Sequence, residues 1–266
     1  MLDLFIAATV AGTAPTGPEL SGLLPGTYSN EEQNYFENEA GRKAPPWMSL
    51  KIENHDGKWT ISEIDAYGTE IAAKRKVSVA FGAKRDSITV GSCSRFFDRT
   101  ATGWSYSAMQ TKKICAQKYQ IIRVAADGIV LRLSDGSETI LKRARTVACW
   151  AALPKLTKKN GKTTGSEFFR KLTMHDQGGR VSVGGKESDT ETITLRMRTV
   201  HWPKASNLRP SMVMYVHKDD PVKAASYSWG DIHASRLGIN VRWMQASCTI
   251  EGAGPASEVS TDNFRG

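Results

Sequence analysis

The chain has 266 residues and a formal charge of +9, from 36 Lys and Arg against 27 Asp and Glu; 40% of it is apolar, 24% charged and 8% aromatic. That balance excludes a disordered or collagenous chain, and no apolar run reaches the roughly 18 residues a spanning helix needs. The length suits one large domain or two moderate ones, each able to bury a core.

Residues 1–19 read as a signal-like leader and linker. Leu2, Leu4, Phe5, Ile6, Ala7, Ala8, Val10 and Ala11 form a short apolar run that ends in small residues before Pro15-Thr16-Gly17-Pro18. Asp3 stands where a positive n-region would. The leader points to a periplasmic or secreted protein, or to a cytoplasmic one if the run is not a signal. Ser29-Asn30-Glu31-Glu32 has the spacing of a capping box, which predicts a helix over 30–39 with Ser29 as N-cap, ending at Gly41.

From Trp47 the apolar period changes to two. Alternation predicts strands over 47–53, 58–67, 77–81, 87–90, 118–124, 129–133, 138–142 and 146–153. Asp56-Gly57, Asp127-Gly128 and Asp135-Gly136 supply turns between them. Short strands at this spacing fit an antiparallel meander, sandwich or barrel. The polar, basic stretch 154–165 reads as a linker or long loop. A second β-rich, sandwich-like domain is expected over 166–250, with strands at 190–200, 211–217, 224–229 and 237–245. A flexible tail is expected over 251–266. The first domain therefore covers 20–153.

Charge is uneven. Residues 1–40 contain six acids and no base, so the remaining 226 residues carry +15. The basic clusters, such as Lys74-Arg75-Lys76 and Lys142-Arg143-Ala144-Arg145, fall between strand-like segments, where Lys discourages edge pairing. No zinc-finger spacing or RNA-binding signature accompanies them, which disfavours nucleic acid as partner.

Four cysteines, Cys93, Cys115, Cys149 and Cys248, form no C-x-x-C pair. An even number in an exported chain suggests two disulfides. Of the three possible pairings, Cys93 with Cys115 and Cys149 with Cys248 is preferred, against the alternative of four buried thiols. The five His match no metal spacing, so no metal site is expected. The Gly pairs at 178–179 and 184–185 lack the strand–helix context of a phosphate loop, and no G-x-S-x-G elbow occurs.

The aromatics of the first half, Trp47, Trp59, Tyr67, Phe81 and Trp104, either fill a core or line a cavity. Arg75 or Arg95 near that face would favour an anionic, amphipathic ligand. Asn30 and Gln33, one helical turn apart, share a face and could fix a polar group of that ligand, or serve only capping and surface hydrogen bonds.

The run Leu24-Pro25-Gly26-Thr27-Tyr28-Ser29-Asn30-Glu31-Glu32-Gln33 resembles the opening of the CpcT/CpeT-type chromophore lyases, with Gly26, Tyr28, Ser29, Asn30 and Gln33 at the matching positions. Gly91-Ser92-Cys93, Gly103 and Cys115 resemble that family's Cys-bearing hairpin. The resemblance covers roughly 22–150. It implies a calycin-like antiparallel barrel, a ligand site that includes Tyr28, and a linear tetrapyrrole as the group handled. The second half resembles only bacterial proteins without an assigned activity. Three readings follow: an exported barrel that binds a small amphipathic or anionic ligand; a bilin lyase or attachment chaperone; and a structural or envelope-interaction protein with no small ligand. No self-sufficient catalytic motif selects an enzyme among them.

Overall fold

The structure is a computed structural model that describes residues 19–82, 85–91, 93–109, 117–156, 163–203 and 207–252. The expected leader and tail lie almost wholly outside the described residues. The fold is mainly β, as the alternation predicts.

A short helix, α1 (Leu20–Leu23), precedes β1 (Gly26–Ser29), and α2 (Glu31–Glu39) follows it. Then come β2 (Ser49–His55), β3 (Lys58–Glu63), β4 (Arg75–Ala80), β5 (Asp86–Val90) and β6 (Cys93–Thr100). β7 (Gly103–Met109), β8 (Tyr119–Ala125), β9 (Gly128–Leu133) and β10 (Glu138–Ala144) complete a ten-strand antiparallel barrel, which β1 closes by pairing with both β2 and β10. The β2–β3 turn is as tight as the sequence suggests: Asp56 and Gly57 both take positive φ, 51° and 80°, the geometry whose twist suits a two-residue hairpin.

Alternate residues turn inward. Leu50, Ile52, Ile61, Ile88, Phe97, Val124, Ile129, Leu131 and Leu141 form one buried cluster. α1 closes one end of the barrel by adding Leu20, Leu23 and Leu24 to that cluster. Each fully buried Leu contributes about 2 kcal/mol through its removal from water. Tyr28 fixes the plug. It is fully buried, its hydroxyl lies 2.7 Å from the Leu23 carbonyl and 3.0 Å from that of Leu24, and it accepts a bond from Arg143 Nη2 at 2.9 Å. Burial pushes its pKa up to about 12, against the pull of Arg143.

The remaining eight strands build a sandwich. β11 (Thr146–Leu156), β12 (Thr163–His175), β17 (Arg236–Val241) and β18 (Met244–Ile250) form one sheet in the order β12-β11-β18-β17. β13 (Gln177–Gly185), β14 (Thr190–Val200), β15 (Ser211–His217) and β16 (Ser226–Asp231) form the other, in chain order. Their facing sides share a core of Val147, Leu153, Ile193, Leu195 and Val216 with Met174, Met197, Met212, Met214 and Met244. Unbranched, polarisable Met side chains suit the irregular gaps between two twisted sheets. Cys149 and Cys248 lie directly opposite each other on β11 and β18 and form a disulfide. Cys93 is also disulfide-bonded, and Cys115, the partner preferred from sequence, lies outside the described residues.

Several expectations need correction. The capping box does not form. Asn30 is the N-cap and makes no side-chain cap bond, while Ser29 ends β1 and accepts only the Glu31 N–H. Glu32 turns to Lys142 and His201 instead. The change of sheet falls between Ala144 and Thr146, not near 153, because β1 has already closed the barrel on β10. The stretch 154–165, expected as a linker, includes the ends of a hairpin in which Pro154 pairs with Ser166 and Lys155 with Gly165. Pro154 lies beyond Ala152, the last β11 residue paired with β18, so its missing N–H costs no ladder bond on that side. The single strand expected over 237–245 is two, β17 and β18.

α2 is the seam between the two units. Glu31 pairs with Arg196 and lies 3.4 Å from Arg198 Nε, and its other oxygen accepts Trp47 Nε1 at 2.8 Å. Arg198 also stacks over Tyr35 at 3.9 Å. Gly178 permits this approach. Its φ is +86°, and a Cβ there would stand 2.6 Å from Glu31 Cγ.

Candidate functional site

The barrel ends differ. At the α1 end the Leu plug and Tyr28 fill the interior. At the opposite end, where β2, β4, β6 and β8 begin, the described residues form no such plug, and two cavities lie there.

The inner cavity measures about 10 Å³ and is lined by Ile61, Ile88, Val90, Phe97 and Ile121 together with Arg75, Arg95, Gln117 and Tyr119. That volume is at the threshold for one water molecule. Arg95 gives the cavity its character. Alternation along β6 turns Cys93, Arg95 and Phe97 inward together, and Arg95 is only 5% exposed. Its Nη2 is buried without a hydrogen-bond partner, and no carboxylate pairs with it among the described residues. Burial pulls its pKa below the usual value; Tyr106 opposes that shift and Arg132 adds to it. Arg132 itself is paired with Glu138 at 2.9 Å.

Arg75, the first residue of β4, donates to the Tyr119 hydroxyl, stacks over that ring at 4.5 Å and lies 3.8 Å from Glu63 Oε1. Glu63 Oε2 pairs in turn with Lys118 Nζ at 2.6 Å. Gln117 donates to the Val90 carbonyl at 2.7 Å, which holds the start of the β8 segment against the end of β5.

The outer cavity, about 250 Å³, lies at the same end. Pro46, Trp47, Met48, Ile71 and Leu133 supply apolar wall, and Glu63 and Lys118 also line it. Glu63 thus lines the outer cavity while pairing with the Arg75 of the inner one.

The nine residues singled out from sequence divide into groups. Arg75 and Arg95 meet in the inner cavity, and Trp47 lines the outer one. Trp59 and Trp104 are 6% and 5% exposed and fill the core, and Tyr28 holds the plug at the closed end. Asn30 and Gln33 do share a face, but they spend it on the barrel wall. Asn30 Nδ2 donates to Pro46 O at 2.8 Å and Thr139 Oγ1 at 3.1 Å, and its Oδ1 accepts the Met48 N–H at 2.7 Å. Gln33 Oε1 accepts Thr139 Oγ1–H at 3.0 Å and the Ile140 N–H at 2.8 Å. Tyr67 is 49% exposed in the loop after β3. Glu63, Gln117, Lys118 and Tyr119 were missed. The sequence signal for them is weak: Tyr119 has the same strand phase as Ile121 and so faces inward, but nothing in sequence pairs it with Arg75.

A third groove, about 440 Å³, runs along the flank of β1 and β2 toward the sandwich and contains Lys51, Arg143, Arg145 and His175. Its cations are already engaged. Arg143 is held by Leu23 and Tyr28, Arg145 by Asp176 at 2.6 Å, and Lys51 by Glu53 at 2.6 Å. Among the described residues no group of His, Cys, Asp and Glu could hold a metal ion, and no helix is long and apolar enough to cross a membrane. No protein-family model matches the chain, and neither a curated protein nor a solved structure was found similar to it, so the site is read from its own geometry.

Proposed function

We propose that the barrel binds a small amphipathic anion at its open end, with the anionic group at Arg95 and the apolar body in the cavity lined by Trp47, Met48 and Leu133. The observation that carries this reading is a guanidinium 5% exposed with a buried nitrogen that has no partner. An unpaired buried charge costs several kcal/mol, and an anion from solution can offset that cost. The planar guanidinium fork suits a carboxylate or phosphate.

The cavity limits what reaches inside. A space of about 10 Å³ admits about one oxygen of a ligand's anionic group and not a linear tetrapyrrole, so the bilin-handling activity implied by the family resemblance is not part of this proposal. The Cys149–Cys248 disulfide supports an oxidising compartment as the place of action.

Calorimetric titration with benzoate, in low salt, tests the reading. The wild-type protein is expected to bind with a Kd of about 1 mM or tighter, and Arg95→Met to lose binding at least tenfold while remaining folded. Equal binding by both proteins, or none by wild type, would remove the proposal.

A further inference from the structure

We infer that Glu63 sets the charge this site accepts, so that the barrel selects a monoanionic carboxylate over a dianionic phosphate. The inference rests on the proposed anion site at Arg95. Two guanidiniums, Arg75 and Arg95, line the inner cavity. Glu63, 3.8 Å from Arg75, already compensates one of them. Arg132, the next cation close enough to act on Arg95, is spent on Glu138. Lys118 belongs to the solvent side: it is 63% exposed and pairs with the second oxygen of Glu63.

One positive charge therefore remains open inside the barrel. A monoanion balances it. A dianion would bring a second negative charge close to the Glu63 carboxylate in a space with little water to screen it, and like charges at such range repel strongly. The walls point the same way. Ile61, Ile88, Val90, Phe97 and Ile121 offer no donors to a phosphate's remaining oxygens. The Tyr119 hydroxyl accepts from Arg75, which leaves its own proton free for a carboxylate oxygen.

Glu63 acts as a built-in competitor for Arg75 and a filter on ligand charge, positioned between the inner cavity and the mouth. It does not hold the ligand itself.

The test compares benzoate with phenyl phosphate at pH 8, where the phosphate is a dianion, by calorimetry on the full chain. Wild type is expected to bind benzoate at least tenfold more tightly. Glu63→Gln is expected to shift that ratio toward phenyl phosphate by about tenfold, since the open charge becomes two. The wild-type preference needs no variant and stands as a test even if the substitution disturbs folding. Phenyl phosphate binding as tightly as benzoate in wild type, or an unchanged ratio in folded Glu63→Gln, would overturn the inference and leave the anion site intact. Binding of neither ligand to wild type would overturn both.

Discussion

Two regions of this molecule bury arginine, and they treat it in opposite ways. At the seam, Arg196 and Arg198 lie against α2, and Glu31 supplies the compensating carboxylate; Arg198 adds a stack on Tyr35. At the other end of the barrel from α1, Arg95 is only 5% exposed, and no carboxylate pairs with it among the described residues. At the seam the charge is balanced, although Arg196 Nε and Arg198 Nε and Nη2 are buried without a hydrogen-bond partner, and a Cβ at Gly178 would meet the Glu31 side chain. The barrel end leaves Arg95 without a counter-charge among the described residues, and a second, larger cavity lies at the same end. An unpartnered buried nitrogen occurs in both regions; what sets Arg95 apart is that no carboxylate pairs with it among the described residues, and the proposed anion site rests on that difference.

The contrast can be broken most forcefully at the seam. Glu31→Gln leaves Arg196 and Arg198 buried without a counter-charge. Unfolding in urea should show a loss of about 3 kcal/mol, and a loss below about 1 kcal/mol would mean the seam does not depend on the pair. Gly178→Ala puts a Cβ at positive φ and into the Glu31 side chain. A loss of about 2 kcal/mol is expected by the same measurement, with Ala at Gly41, where φ is +65° but no atom lies within 4 Å, as the strain-only control. Arg95→Met should behave differently. It removes an uncompensated charge and leaves an apolar chain of similar reach, so stability should hold or rise by about 1 kcal/mol while anion binding is lost. A destabilisation comparable to that of Glu31→Gln would show that Arg95 is structural.

The smallest expected effect is a pH dependence from the sandwich. Burial lowers the pKa of His175, opposed by Asp176 and Glu31, and that of His217, opposed mainly by the Asp220 carbonyl. Each is held neutral in the fold and regains its ordinary affinity for protons on unfolding. The unfolded chain therefore binds more protons below its own pKa, about 6.5. The stability these two groups contribute is present above that pH and falls as pH drops below it. His217→Gln should flatten part of the slope of unfolding free energy between pH 6.5 and 5. An unchanged slope would assign the dependence elsewhere.

Much of the architecture was legible in the alternation. β14, at 190–200, alternates through Ile193, Leu195 and Met197, β15, at 211–217, is a near-continuous apolar run, and Asp-Gly pairs mark the hairpins. Where the pattern failed, another force had replaced it. β12 and β13 are strands with mixed polar and glycine-rich sequence; each is an outer strand of its sheet, paired with β11 or β14 through a ladder interrupted by register shifts, which blurs the alternation. The sheet change at Arg145 was hidden because β10 and β11 read as one continuing series; what separates them is the closure of β1 on β10, a contact between segments more than 100 residues apart. The capping box failed because Glu32 found stronger partners in Lys142 and His201, which no local rule could supply.

The site was half visible. Arg75 and Arg95 were each named as an arginine that would favour an anion, and strand phase brings both to one cavity. Asn30 and Gln33 shared the expected helical face, but Thr139 and the 45–48 turn claim it. Glu63 and Tyr119 could not be seen, since their roles arise from strand register across the barrel rather than from spacing along the chain.

The central claim is that an anion completes Arg95. A crystal structure grown with 4-iodobenzoate, with the iodine located by anomalous scattering, tests it most directly. The account predicts the carboxylate within hydrogen-bond distance of Arg95 Nη2 and the iodine toward Trp47 and Leu133. An iodine site elsewhere only, or a protein carboxylate found against Arg95 in the crystal, would contradict it.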